Sequence, residues 1–202
     1  LLGLLPAYSG GGAEKVMLTY IKNNKNDSIA FKLFVSDASG SFKSKKIKNS
    51  IEFNFKRFFY CIPKLLSEIK KYNINILFST FPHVSVIIIL LKLVRLHNCI
   101  VVVRQPNEIK KSLSGNIKYM FLKFLYTSLI HKSDLLIVTS TFMENEINIL
   151  NNKIKNIQLI RNPVPVKDIR KGVLPVATNK NIIRLIFVGR LAYQKGLDIL
   201  LN

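Results

Sequence analysis

Short, unbroken apolar runs separated by longer segments of helical period recur along this chain, and that alternation constrains its fold more than any other feature. Ile100–Val103 reads IVVV and Leu135–Val138 reads LLIV. A strand with one face in water alternates apolar and polar residues, whereas a strand covered on both faces reads as continuous apolar text. These two runs are therefore expected as interior strands. Strands that alternate with helices stack as βαβ units, so the fold class is α/β, a Rossmann-like and mostly parallel sheet with helices on both faces. In chain order the strand candidates are Leu1–Leu5, Phe31–Ser36, Asn75–Ser79, Ile100–Arg104, Leu135–Thr139, Ile157–Ile160 and Arg184–Val188. Helical period is expected over Ala13–Lys22, Arg57–Lys71, His83–Leu96, Ile117–His131 and Phe142–Asn151. Pro63 falls inside the second helix, where an interior proline costs about 3 kcal/mol, so that helix either kinks there or begins near it.

One boundary stands out. Residues 162–181 read NPVPVKDIRKGVLPVATNKN, with three prolines and no apolar period. The expected division is an amino-terminal Rossmann-like domain over residues 1–164, a linker over 165–181, and the first strand and helix start of a second α/β domain over 182–202. The chain opens without Met and closes within a helical pattern, so it is expected to be a fragment.

Composition and its distribution argue against three alternatives. At 49% hydrophobic and 21% charged, the chain has the apolar content that disordered chains lack. With Cys61 and Cys99 its only cysteines, each in an apolar stretch, it reads as holding buried thiols in a reducing compartment rather than a disulfide framework. Val84–Val94, the most apolar run, is eleven residues, short of the roughly 18 to 20 that span a bilayer. The expected location is cytoplasmic.

Three stretches carry residue types suited to ligands. Gly10, Gly11 and Gly12 stand between the first strand and first helix, where glycine lets the backbone approach a ligand and free helix N–H groups attract phosphate or hydroxyl oxygen. No Lys-Ser/Thr pair follows, so this is not a Walker loop, and the spacing is not G-x-G-x-x-G. Ser79-Thr80-Phe81-Pro82-His83 and Arg104-Gln105-Pro106-Asn107 follow central strands, at the carboxyl edge where parallel sheets bind ligands. Arg104 presents a planar fork suited to phosphate or carboxylate, with a pairing to Glu108 as the alternative. His83 reads as a sugar contact or a helix-start residue. His97 and His131, at helix ends among basic residues, are expected in solvent. No metal site is expected, because acidic and cysteine partners at ligand spacing are missing.

The sequence Phe187-Val188-Gly189-Arg190-Leu191-Ala192-Tyr193-Gln194-Lys195-Gly196, taken with Ile160-Arg161-Asn162-Pro163-Val164 and the Gly-Gly-Ala-Glu turn, resembles the family-4 glycosyltransferases, retaining enzymes of the GT-B architecture. That resemblance implies that Arg190 and Lys195, with Gly11 and Gly12, hold the donor's diphosphate. It implies acceptor binding by Gly10, His83, Arg104, Asn107 and Ser140, the last in a segment where a strand delivers Ser before an amphipathic helix. Asn162 and Pro163 fall at the interdomain junction. Many members carry His after the strand matching Ile100–Val103, where this chain has Arg104. The family's two donor-site glutamates, separated by seven residues, belong deep in its carboxyl-terminal domain, a part that residues 1–202 do not reach. The expected activity is transfer of a sugar from a nucleotide-diphosphate donor to a glycan or a polyprenyl- or other lipid-linked acceptor in cell-surface polysaccharide or glycoconjugate synthesis, without a cofactor. A non-catalytic acceptor- or membrane-binding module is the alternative.

The charge balance needs its own account. Thirty-one Lys and Arg against eleven Asp and Glu give a formal net charge of +20. The lysines cluster at Lys43–Lys48, Lys70-Lys71, Lys110-Lys111 and through Ile117–Lys132, where Tyr119, Met120, Phe121 and Phe124 alternate with Lys118 and Lys123. A basic amphipathic helix suits an anionic membrane surface, so peripheral attachment at the inner face of the plasma membrane is expected. Nucleic acid is not the expected partner: no helix-turn-helix, zinc-finger, RNP or KH pattern occurs, and the aromatics fall at core spacing rather than on a stacking strand.

Overall fold

The computed structural model describes residues 1–24, 29–40, 49–109, 117–164, 166, 170, 186, 187 and 197–201. The chain divides into two units, Leu1–Val164 and Pro165–Asn202. In the second, the described secondary structure is a helical stretch at Leu197–Leu201. The expected strand Arg184–Val188 lies largely outside the described residues.

The first unit is a seven-stranded, all-parallel sheet. Its strands are β1 (Leu2–Ala7), β2 (Lys32–Asp37), β3 (Ser50–Glu52), β4 (Ile76–Ser79), β5 (Ile100–Arg104), β6 (Leu135–Val138) and β7 (Ile157–Leu159), in the spatial order β3-β2-β1-β4-β5-β6-β7. The helices are α1 (Gly12–Lys22), α2 (Ile62–Lys71), α3 (Pro82–Leu93), α4 (Ile117–Leu129) and α5 (Thr141–Leu150). This is the Rossmann-like α/β class, and β5 and β6 are interior, as their composition requires. Strand β3 and the 3₁₀ turn at Phe58–Cys61 are additions to the reading from sequence. Pro63 sits in the first turn of α2, where its missing N–H has no intrahelical partner to lose, so the helix starts there and does not kink.

The order of strands reverses at β1, and right-handed crossovers then fix which face each helix covers. From β1 to β2 the chain runs one way, and α1 packs Met17 against Leu5, Leu33, Val35 and Phe78. From β3 onward it runs the other way, so α2 to α5 share the opposite face over Leu4, Phe34, Leu77, Val101, Val103, Leu136 and Val138. The two faces are unequal. Val102 and Ile137, on the α1 side of β5 and β6, are half-buried and pack against the smaller of the two clusters.

Histidine 97 corrects a second expectation. It is buried, not solvated: the end of α3 turns through Arg95 at φ +60°, and the ring folds under the helix. The Cys99 amide donates to Nδ1 at 3.2 Å, which leaves the proton on Nε2 to donate to the Ile88 carbonyl at 3.0 Å. His131 is half-buried, with its Nδ1 3.3 Å from the Asn151 side-chain nitrogen. Burial lowers the His97 pKa below its ordinary 6.5. A group whose folded pKa is depressed contributes stability that is complete above the unfolded pKa and is lost as pH falls through the folded one. Unfolding stability should therefore decline as pH drops below about 6.5, and His97→Gln should flatten that part of the profile. Denaturant midpoints between pH 7 and 5 measure it; an equal slope in the variant would assign the decline elsewhere.

Both cysteines are free and buried. Among the described residues no helix is long and apolar enough to cross a membrane.

Candidate functional site

The carboxyl ends of β1, β4 and β5 lie side by side where the strand order reverses, the position at which open parallel sheets leave a crevice. What each strand delivers there follows from its first residues beyond the ladder.

After β1 comes the glycine turn. Gly10 takes φ +85°, a left-handed conformation that glycine adopts without strain. Gly12 opens α1 with free space where a side chain would stand, whereas a Cβ on Gly11 would lie 2.4 Å from Glu14 Oε2. Glu14 was not singled out from sequence. Its buried carboxylate folds back over the turn and accepts the Ser9 hydroxyl. The positive end of α1 thus already faces one of the protein's own carboxylates, which offsets the attraction this turn would otherwise exert on a phosphate. The signal was present as Glu at the third helical position, which commonly reaches back toward the cap.

After β4, Ser79 organises the turn. Its hydroxyl accepts the Phe81 amide at 3.3 Å and the Ser85 hydroxyl at 3.1 Å, and Pro82 then starts α3. His83 stands in the first turn of α3, its ring 6.1 Å from that of Phe81. It reaches solvent, yet enough protein surrounds the ring to hold its pKa below the ordinary histidine value. At neutral pH it is an uncharged imidazole that can both donate and accept, which suits a hydroxyl-bearing ligand.

After β5 the side chains divide by face. Gln105 points to the α4 side, where Tyr126 donates to its Oε1 at 2.5 Å and its Nε2 donates to the Asn107 carbonyl at 2.5 Å. Burial raises the Tyr126 pKa, so the phenol stays protonated and keeps donating. The Ile109 amide donates to Glu146 Oε2 at 2.8 Å, tying the segment to α5. Asn107 itself is exposed. Arg104 is 1% exposed, and its Nη2 donates to Asn162 Oδ1 in the segment after β7. The pairing with Glu108 weighed from sequence does not form. Burial lowers the guanidinium pKa, with nearby Tyr20 favouring the charge.

The fold thus brings the glycine turn, His83, Arg104 and Asn107 to one carboxyl edge, and it joins Arg104 directly to Asn162. Ser140 is used locally: its hydroxyl caps α5 by accepting the Met143 amide at 3.3 Å. Pro163 is half-buried beside Asn162. Arg190 and Lys195 lie outside the described residues, as do Lys43–Lys48 and Lys110-Lys111.

Helix α4 departs from the expected core periodicity. Leu122, Leu125, Tyr126 and Leu129 face inward, but Ile117, Met120, Phe121 and Phe124 form a second apolar stripe that faces out, Phe124 being 65% exposed. Lys118 and Lys123 flank that stripe. Phe59, Tyr60 and Phe142 are exposed as well.

Compared with known proteins, the chain matches no family model, and no curated protein matches it with significance.

Proposed function

We propose that this chain forms the acceptor-binding part of a retaining glycosyltransferase that uses a nucleotide-diphosphate sugar. One observation carries the reading: the residues that the motif resemblance assigns to the acceptor side, Gly10, His83, Arg104 and Asn107, stand on a single carboxyl edge at the reversal of strand order, although up to 97 positions separate them. In this reading Gly10 and neutral His83 position the acceptor hydroxyl. Arg190 and Lys195 hold the diphosphate as its bond to the anomeric carbon breaks, the acceptor oxygen bonds to that carbon from the same face, and the hydroxyl proton passes to the departing diphosphate. Offsetting the charge that develops on a leaving diphosphate is the largest contribution such cations make. The transfer step needs no cofactor from these residues.

The test is direct. The protein is incubated with a panel of nucleotide-diphosphate sugars and glycan or lipid-linked acceptors, and the product's anomeric configuration is read by NMR. Transfer with retention is the expected result. Inversion, or no transfer by folded protein across the panel, would sink the reading and leave a binding module.

The outward stripe of α4 supports peripheral attachment to an anionic bilayer. A helix that is apolar on two faces needs a second apolar phase, and the lysines beside the stripe each contribute about 1 kcal/mol near an anionic leaflet. The protein should sediment with vesicles containing phosphatidylserine at low salt and release as salt rises. Phe121→Ser with Phe124→Ser should abolish sedimentation. Equal sedimentation with neutral vesicles, or an unaffected double variant, would refute attachment through this face.

A further inference from the structure

Four buried side-chain polar atoms lack a hydrogen-bond partner among the described residues, and three of them belong to two residues at the candidate site: Arg104 Nε, Arg104 Nη1 and Thr80 Oγ1. Both residues are buried, Thr80 at 0% and Arg104 at 1% exposed. Their juxtaposition follows from register. The β4–β5 ladder ends where Ser79 pairs with Val103, and Thr80 and Arg104 are the residues that follow on those two neighbouring strands. Side chains alternate along a strand, and Val102 faces the α1 side, which puts Arg104 on that same face, next to the chain that leaves β4 at Thr80.

A guanidinium carries five N–H donors and no acceptor. Here Nη2 gives one N–H to Asn162 and nearby Tyr20 favours the charge, while the N–H groups of Nε and Nη1 are unmet, so an oxyanion can take the remaining Nη2 N–H together with either of them. No carboxylate among the described residues pairs with it. Burying a charge without a counter-charge or full hydrogen bonding is among the costliest arrangements a side chain can adopt, and such arrangements persist where a ligand completes them. A sugar hydroxyl would not supply the missing charge. An ionised oxyanion would, because it accepts only, it matches the planar fork in two-point contact, and it leaves an oxygen for the Thr80 hydroxyl.

We infer that Arg104 and Thr80 form an oxyanion subsite, which takes a phosphoryl or carboxylate group of the bound ligand. That this group belongs to the acceptor rests on the reading proposed above; that an oxyanion binds there does not.

The test is calorimetric titration of the chain at constant ionic strength with glucose 1-phosphate, glucuronate and glucose. One or both anions should bind and glucose should not. A preference for the phosphate assigns the group to a phosphorylated, lipid-linked type of acceptor, and a preference for glucuronate to an acidic sugar. Arg104→Gln should weaken binding by about tenfold or more and Thr80→Val by several-fold, whereas Lys70→Gln, at an exposed position on α2, should leave it unchanged. Without ligand, Arg104→Met should melt higher than the wild type, since it removes an unpaired buried charge; an arginine with a purely structural role would give a lower midpoint. If Arg104→Gln fails to fold, NMR of the wild type decides: phosphate should shift one arginine Nε–H resonance. No binding by either anion, equal binding by Arg104→Gln, a lower melting point for Arg104→Met, or no shifted resonance would each overturn the subsite. Transfer activity without anion binding would refute the subsite and keep the transferase, and anion binding without transfer would do the reverse.

Discussion

Gly40→Ala is expected to cost about 3 kcal/mol or more, the largest loss from adding one methyl group to the described part of this chain. The position combines two penalties. Its φ of +122° is one that side-chain-bearing residues rarely adopt, and a Cβ built there would stand 2.1 Å from the Tyr8 carbonyl oxygen and 2.5 Å from its carbon. Backbone cannot yield as a flexible side chain would. The segment is also held on both sides: Tyr8 donates its amide to the Ser39 carbonyl at 3.2 Å, and Asp37 Oδ1 accepts the Ser39 amide at 2.9 Å. Tyr8 immediately precedes Ser9 and the glycine turn, and its hydroxyl donates to Glu52 Oε1 at 2.7 Å. Relief of the clash would therefore displace the β1 end of the candidate site. For a unit of this size the loss corresponds to a fall in Tm of about 10 °C. Gly12→Ala supplies the contrast, since nothing lies within 4 Å of its Cβ and alanine favours a helix; its Tm should stay within about 2 °C of the wild type. If Gly40→Ala melts with the wild type, the close approach of residues 38–40 to Tyr8 is wrong.

How much of this was legible from sequence depends on how local its cause is. Strands β5 and β6 were readable because burial within a parallel sheet imposes an apolar residue at every position, and Ile100–Val103 and Leu135–Val138 obey that rule. Strand β3 was not readable. Three residues, Ser50–Glu52, carry no pattern of their own, and the edge strand exists because β2 offers a free ladder: the Leu33 amide bonds the Asn49 carbonyl and the Phe53 amide the Val35 carbonyl, at 3.1 and 3.0 Å. His97 looked solvated because basic residues surround it in sequence, and a left-handed turn at Arg95 then buries it. The outer stripe of α4 was legible as a basic amphipathic pattern, Met120, Phe121 and Phe124 interleaved with Lys118 and Lys123, because exposure of those residues is set within the helix itself.

The candidate site divides along the same line. Arg104, His83 and the glycine turn announce themselves by following apolar strands. The contact between Arg104 and Asn162 spans 58 positions and depends on the order of strands. Thr80 was visible only as one residue of a polar turn; its unmet hydroxyl becomes apparent when β4 and β5 are paired. Glu14 was readable in principle from its place in the first turn of α1, and its buried carboxylate faces the same helix end that the glycines leave open.

The largest kinetic effect is expected at Lys195. If Arg190 and Lys195 hold the departing diphosphate, Lys195→Ala should lower kcat/KM for transfer by about two to three orders of magnitude, the usual loss when one charge contact to a transition state is removed. The loss should fall mainly on kcat, because charge on the leaving diphosphate grows toward the transition state, and donor KM should change far less. Arg104→Gln should behave differently. An oxyanion subsite on the acceptor side binds ground state and transition state alike, so that variant should raise the KM of an anionic acceptor with little change in kcat, and it should not discriminate between donors. Lys70→Ala, at an exposed position on α2 remote from the carboxyl edge, should leave both parameters unchanged. Steady-state kinetics with donor and acceptor varied separately distinguishes the cases. Unchanged kinetics in Lys195→Ala would show that the motif around Gly189-Arg190 does not act on the donor, while an Arg104→Gln effect confined to kcat would move Arg104 from acceptor binding to the reacting atoms themselves.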